Sequence, residues 1–158
     1  GKSNVELIIN LQGDEPLINI DDLRNLNNHM IETKSEIGTL GTVISDKNQY
    51  ENFNLVKVLT KEKLSKLNFP VALSFMRKAK KDVINVYHHL GVYCYKLETL
   101  KKFVYLKQSP NEIKNKLEQL RALDNDIQIN VAFAKSSPIG LDTEEDFVAI
   151  KKIMEYKA

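Results

Sequence analysis

Cysteine, arginine and glycine are all scarce in this chain, and long apolar runs are missing altogether. The single Cys94 excludes an intrachain disulfide and fits a reducing compartment. No apolar stretch approaches the roughly 20 residues of a membrane span. The segment bracketed by Lys2 and Glu6 is too short and too β-like for a signal peptide. A soluble, cytoplasmic protein is the expectation. The 6 glycines form no Gly-rich loop, with neither a GxGxxG nor a Walker A pattern. A net charge of +2 gives no reason to expect a nucleic-acid partner. Of the 23 basic residues only Arg24, Arg77 and Arg121 are arginine. Where arginine persists against such a bias, a planar fork that lysine cannot supply is a candidate reason.

With 158 residues, 42% of them hydrophobic, the chain can bury one sizeable core and is most naturally one domain. It opens with Val5-Glu6-Leu7-Ile8-Ile9-Asn10-Leu11 running into Gln12-Gly13-Asp14-Glu15-Pro16. An apolar run ending in a Gly-Asp-Glu-Pro turn reads as a buried parallel strand over residues 5–12 that delivers carboxylates to its C-terminal end, where open α/β sheets bind ligands. A helix capped by Asp21 or Asp22 is expected to run to about Lys34, with Leu23, Leu26, Met30 and Ile31 inward. Residues 37–44 read as a strand in which Gly38 and Gly41 mark close backbone approach or a bulge. Residues 54–60 and 67–75 read as a hairpin across a Lys-rich turn, with Pro70 on an edge or at a bulge. Residues 89–96 form a further strand, with Leu90, Val92 and Cys94 alternating against Tyr93 and Tyr95.

Ser109-Pro110-Asn111-Glu112 is a capping box with proline at the first helical position. The helix it starts carries Ile113, Leu117, Leu120 and Leu123 inward. Residues 127–134 read as a strand, and Asp142-Thr143-Glu144-Glu145 as the cap of a terminal helix. A strand as hydrophobic as the first wants neighbours on both sides, and the visible chain offers few. The start at Gly1 therefore looks like the middle of a larger protein.

Asp14 and Asp142 both end β segments and both precede helices, so a sheet edge can bring them together. Two carboxylates with phosphate oxygens and water make the octahedral oxygen shell that magnesium prefers. A turn aspartate and a helix N-cap are the plainer readings of the same residues. Glu118 and Gln119 can face a polyol at a helix end, or simply a solvated surface, while Arg121 can pair with an acid. His89 and Tyr93, four apart on a strand, share a face; Arg77 at a strand end can grip a carboxylate with two parallel hydrogen bonds or stand exposed.

In order along the chain stand Gln12-Gly13-Asp14-Glu15-Pro16, Asn54-Leu55-Val56-Lys57-Val58, Ala72-Leu73-Ser74-Phe75-Met76-Arg77, His89-Leu90-Gly91-Val92-Tyr93, Leu117-Glu118-Gln119-Leu120-Arg121 and Gly140-Leu141-Asp142-Thr143-Glu144-Glu145-Asp146. This succession resembles the 3-deoxy-manno-octulosonate (Kdo) cytidylyltransferase family over nearly the whole chain. The resemblance implies an α/β, Rossmann-like nucleotidyltransferase sheet flanked by helices, with its N-terminal βα units missing. Residues 1–158 would be one incomplete domain, and residues 37–88 a β-rich dimerisation excursion. It further implies transfer of CMP from CTP to the anomeric hydroxyl of Kdo, with release of pyrophosphate, for lipopolysaccharide synthesis by a homodimer. Asp14 and Asp142 would be the catalytic Mg2+ ligands, and Gln12 would sit at nucleotide and sugar. Arg77, His89, Tyr93, Glu118 and Gln119 would line the sugar site, with Arg77 nearest the carboxylate.

Three departures accompany the resemblance. The family's phosphate-cradling Gly- and Arg-containing loop and Pro-Gly-Lys segment are not in these residues, so the chain alone is expected to be inactive. Asn115 stands where the family usually has an acid, and Met76 where it has Ser, beside a longer hairpin at residues 64–71. A cytidylyltransferase for another sugar acid, such as a sialic acid or amino-Kdo, is the nearest alternative. A non-catalytic α/β binding domain explains the ordered motifs less well.

Overall fold

A computed structural model describes residues 7–11 and 18–135. They form one mixed sheet with helices against it, consistent with the α/β expectation. The strands are β1 (Leu7–Leu11), β2 (Ile37–Thr42), β3 (Lys57–Thr60), β4 (Ala72–Met76), β5 (Val86–Lys96) and β6 (Ile129–Phe133). The helices are α1 (Ile20–Thr33), α2 (Leu97–Phe103), α3 (Pro110–Asn115) and α4 (Gln119–Asp124), with a 3-10 turn at Lys47–Tyr50.

The strands follow the order β4-β3-β5-β2-β6, and β1 also pairs with β5. β2 is the inner strand, buried at every position, antiparallel to β5 and parallel to β6. α1 covers one face of the sheet, where Leu26 and Met30 pack with Leu40, Leu90, Val92, Cys94 and Ala132. The other face carries Ile37, Val58, Phe75, Tyr93, Tyr95, Ile129 and Val131 under Phe103, Leu117 and Leu120. Alternation along β5 therefore divides as expected, Leu90, Val92 and Cys94 to one core and Tyr93 and Tyr95 to the other.

Several expectations are corrected. β1 is antiparallel to β5, not parallel, and it is half exposed, with Leu11 at 53%. β5 is its one partner among the described strands, so burial on that side alone leaves Ile9 and Leu11 open. α1 begins one residue before Asp21 because Asn19 caps it, its side chain accepting from the Asp21 amide. Ile31 falls off the core face and is exposed.

The single helix expected after Ser109 is two. The capping box forms as predicted, but Lys116 adopts a left-handed conformation (φ 54°, ψ 44°) and ends α3 after one and a half turns. Ile113 is consequently exposed while Leu117 and Leu120 stay buried. The short α2 has no cap hydrogen bond from its N-cap Lys96 and was not foreseen. The hairpin of β3 and β4 is present in antiparallel register, with a longer connection than expected. Within that connection the Pro70 carbonyl accepts from Val131. The expected terminal helix lies outside the described residues.

Both glycines singled out in β2 sit at close approaches, and the ladder with β5 shifts register between Thr39 and Leu40. A Cβ on Gly38 would stand 2.7 Å from Leu26 Cδ1, 2.8 Å from Met30 Sδ and 2.9 Å from Phe69 Cζ. Gly38→Ala should therefore destabilise the protein by about 1–3 kcal/mol as α1 is pushed off the sheet. Urea unfolding checks this, and an unchanged midpoint would contradict it.

Candidate functional site

β5 is the strand around which the site is built. β2 covers one of its edges, from His88 to Tyr95. Along the other edge β3 pairs with Val86 to His88 and β1 with Val92 to Lys96. The C-terminal end of β1 and the start of β3 thus meet end to end beside His89, Leu90 and Gly91. Val56 lies at that junction and accepts a hydrogen bond from the His89 amide at 2.9 Å. Two motif segments, residues 54–58 and 89–93, meet at this place in the sheet, where β1 also ends at Leu11.

Opposite the junction, β5 carries two residues more than β2, because Thr39 faces Tyr93 while Leu40 faces Leu90. Such a bulge leaves carbonyls without ladder partners. The fully buried Thr39 hydroxyl fills the gap, donating to Val92 O at 2.6 Å and lying 3.2 Å from Leu90 O. The same oxygen lies 2.8 Å from His89 Nε2. With its one proton given to Val92, the hydroxyl accepts from His89, which assigns the imidazole as the Nε2–H tautomer.

Burial, assisted by neighbouring His88, drives the His89 pKa down to about 3, so the ring is neutral. It packs edge-on to Phe75 at 4.9 Å and tilted against Tyr93 at 5.6 Å between centroids. The expectation that His89 and Tyr93 share a face is met, and His89 lies beneath Tyr93 as its support.

Glu118 and Gln119 enter from the break between α3 and α4. Glu118 is the N-cap position of α4 and exposed; Gln119 is half-buried. The break is anchored by Arg121, whose Nε and Nη2 donate to the two Glu112 oxygens at 2.9 and 2.5 Å. Both partners are largely buried, and the Arg121 guanidinium also lies 5.1 Å over the Phe103 ring. Arg121 thus holds the Glu112 carboxyl below the usual carboxylate range.

A cleft of about 470 Å³ opens between β1 and these helices, lined on its polar side by Asn10, Tyr95, Glu118 and Arg121. A smaller cavity of about 80 Å³ shares Asn10, Tyr95 and Glu118 with it and adds Tyr93 and Gln119. Burial, with the Glu118 charge, raises the Tyr95 phenol to about 12, so it is a neutral donor. The space is therefore walled by hydroxyls, two amides, one carboxylate and the Arg121 guanidinium over an aromatic floor. That set suits a polyhydroxylated ligand.

Arg77 lines neither space. Its Nε donates to Asn115 O at 2.9 Å, Nη2 to Lys116 O at 3.0 Å and Nη1 to Phe53 O at 3.2 Å, with the Phe53 ring 4.7 Å beneath. The fork thus binds the turn just before Glu118, leaving one N–H on each Nη. Beside it Lys57 is 1% exposed and donates to Asn52 O and Arg77 O, both at 2.6 Å. Burial first, and Arg77 second, lower its pKa to about 8.

Of the residues expected at the site, the structure brings Tyr93, Glu118 and Gln119 to one cavity, His89 directly under it and Arg77 behind its rim. Gln12, Asp14 and Asp142 lie outside the described residues. Among the described residues no group of three or more His, Cys, Asp or Glu could hold a metal ion. Sequence reasoning missed Thr39, Asn10 and Tyr95. A lone hydroxyl inside the buried run Ile37-Gly38-Thr39-Leu40 was the available signal for the first, since a buried polar group needs a partner.

A family model described as Cytidylyltransferase matches residues 1–129. The 3-deoxy-manno-octulosonate cytidylyltransferase of Bartonella henselae is 40% identical over 153 residues, covering 94% of this chain and 60% of that protein. That of Afipia carboxidovorans is 34% identical, covering 100% and 64%. The chain thus spans about 60% of the length of the curated relatives it matches. Among solved structures, a CMP:2-keto-3-deoxy-manno-octonic acid synthetase complexed with CTP superposes with a TM-score of 0.83 at 27% identity, over 97% of this chain and 63% of that one. A UTP-bound UGPase from Acinetobacter baumannii shares the fold alone, at 11% identity and a TM-score of 0.58, over 95% of this chain and 47% of that one.

Two outcomes follow from the site's electrostatics. The folded His89 pKa lies below its unfolded value, so between about pH 6.5 and 3 the unfolded chain binds the extra proton and stability falls with pH. The unfolding free energy from urea titrations should drop on acidification by up to about 1.4 kcal/mol per pH unit for this group, and His89→Gln should flatten that limb. Glu112→Gln removes the buried bidentate partner of Arg121, leaving only the exposed Glu118 at 4.0 Å, and should cost about 3 kcal/mol, read by the same unfolding experiment.

Proposed function

The chain belongs to the cytidylyltransferase family, and on that premise we propose that it carries the acceptor-sugar side of an enzyme transferring CMP from CTP to the anomeric hydroxyl of Kdo. The supporting observation is the convergence of Tyr93, Glu118 and Gln119 on one cavity beside Asn10 of β1. Hydroxyl, carboxylate and carboxamide there match the hydroxyl-rich face of an eight-carbon sugar acid. His89 keeps the Tyr93 ring in place and stays neutral, so it is no general acid in this scheme. Arg121 lines the cleft but spends Nε and Nη2 on Glu112, so the two remaining Nη hydrogens of Arg77 are the donors proposed for the sugar carboxylate.

In-line displacement at phosphorus asks mainly for positioning and for charge neutralisation. Asp14 and Asp142 are the residues proposed to hold Mg2+, since two carboxylates offer the hard oxygen donors that ion takes. When bound, the ion would neutralise charge on the phosphates. Gln12 would then lie between nucleotide and sugar. A homodimer in the cytoplasm completes the proposal. No helix among the described residues is long and apolar enough to cross a membrane.

The experiment is pyrophosphate release by the full-length protein with CTP fixed and a panel of sugar acids. Release is expected with Kdo and magnesium, and its loss in Asp14→Asn or Asp142→Asn. Preference for a sialic acid or amino-Kdo would replace the sugar but keep the chemistry, whereas activity without a divalent ion would sink the two-aspartate site. Glu118→Gln should raise the KM for Kdo about tenfold or more, the worth of a hydrogen bond to a charged group.

A further inference from the structure

Lys57 is among the largest fully buried side chains in the described residues, and it has no carboxylate partner there. A buried cation without an acid is costly, and an apolar residue of the same length would fill the space at less cost. What the ammonium does is geometric. It draws together Asn52 O, in the loop before β3, and Arg77 O, just past β4, through two short charge-assisted bonds. The residue next to Asn52 is Phe53, whose carbonyl and ring both hold the Arg77 guanidinium.

The oriented fork then takes the carbonyls of Asn115 and Lys116. Lys116 is the left-handed residue that ends α3, and a non-glycine residue keeps that conformation only where surroundings impose it. Glu118 follows two residues later. A continuous chain of contacts therefore runs from the Lys57 ammonium through Arg77 to the α3–α4 turn and the polar wall of the cleft.

We propose that Lys57 is a positioning residue for acceptor recognition: its ammonium fixes Arg77, whose fork sets the α3–α4 turn that presents Glu118 and Gln119. Lys57 touches no substrate in this scheme. Its link to the sugar rests on the function proposed above, but the mechanical coupling does not. Asn115 contributes to that turn its main-chain carbonyl, and its own side chain donates back to Asn111 O at 2.9 Å.

The test is Lys57→Met in the full-length protein, which keeps the aliphatic stem and removes the ammonium. Amide hydrogen exchange without substrate should be at least tenfold faster at Lys116 and Leu117, whose N–H groups both donate to Glu112 O, with β5 unchanged. In turnover assays the KM for Kdo should rise about tenfold while the KM for CTP stays within twofold. Unchanged exchange at 116 and 117 overturns the proposal, as does an equal rise in both KM values. If Lys57→Met fails to fold, Lys57→Gln, whose amide is one carbon too short to span both carbonyls, is read by the same two measurements with the same overturning outcomes. A wild-type protein inactive with CTP and Kdo would defeat the proposed function, and the exchange measurement would still decide the clamp.

Discussion

The hydroxyl of Thr39 holds the middle of the sheet together at the point where β5 changes partners. Two extra residues in β5 would leave carbonyls facing a dry interior, at a cost of a kilocalorie per mole or more each. One buried oxygen closes this defect from β2 and simultaneously sets the tautomer of His89. Beside the bulge, β1 and β3 share the other edge of β5, and the same hydroxyl seats the His89 ring that packs against Tyr93.

The helical side of the cleft is organised by arginine. Arg121 spans α3 and α4 with a bidentate pair to Glu112, while Arg77 grips the turn between them from the sheet. Both tasks need several donors in a fixed plane, which a lysine ammonium does not offer. Arg24, by contrast, is largely exposed and makes only a 3.7 Å pair with Asp21. The bias against arginine in this sequence is thus overridden for structural reasons at two of three positions.

Much of the fold was legible because local rules and tertiary packing agreed. The capping box at Ser109, the β3–β4 hairpin and the two-faced alternation of β5 each stand as periodicity implied. Where they disagreed, a non-local partner decided. No propensity rule foresees Lys116 in a left-handed turn, because what stabilises it is an arginine 39 residues away. The direction and burial of β1 were misread for a related reason: a hydrophobic run marks a strand, not the neighbours that pair with it or cover it. Tyr93, Glu118 and Gln119, singled out by the ordered motifs, line one cavity. Thr39, Asn10 and Tyr95 were missed because their roles exist only once strands are paired.

The chain's one thiol has a practical meaning. Cys94 is fully buried between Ile9 of β1 and Gly38 of β2, under α1, and burial lifts its pKa to about 11. Thiolate, the reactive form, is therefore nearly absent in the native state. Alkylation at this position becomes a clock for opening of the sheet centre. Because no other cysteine competes, one label reports when β5 parts from its neighbours.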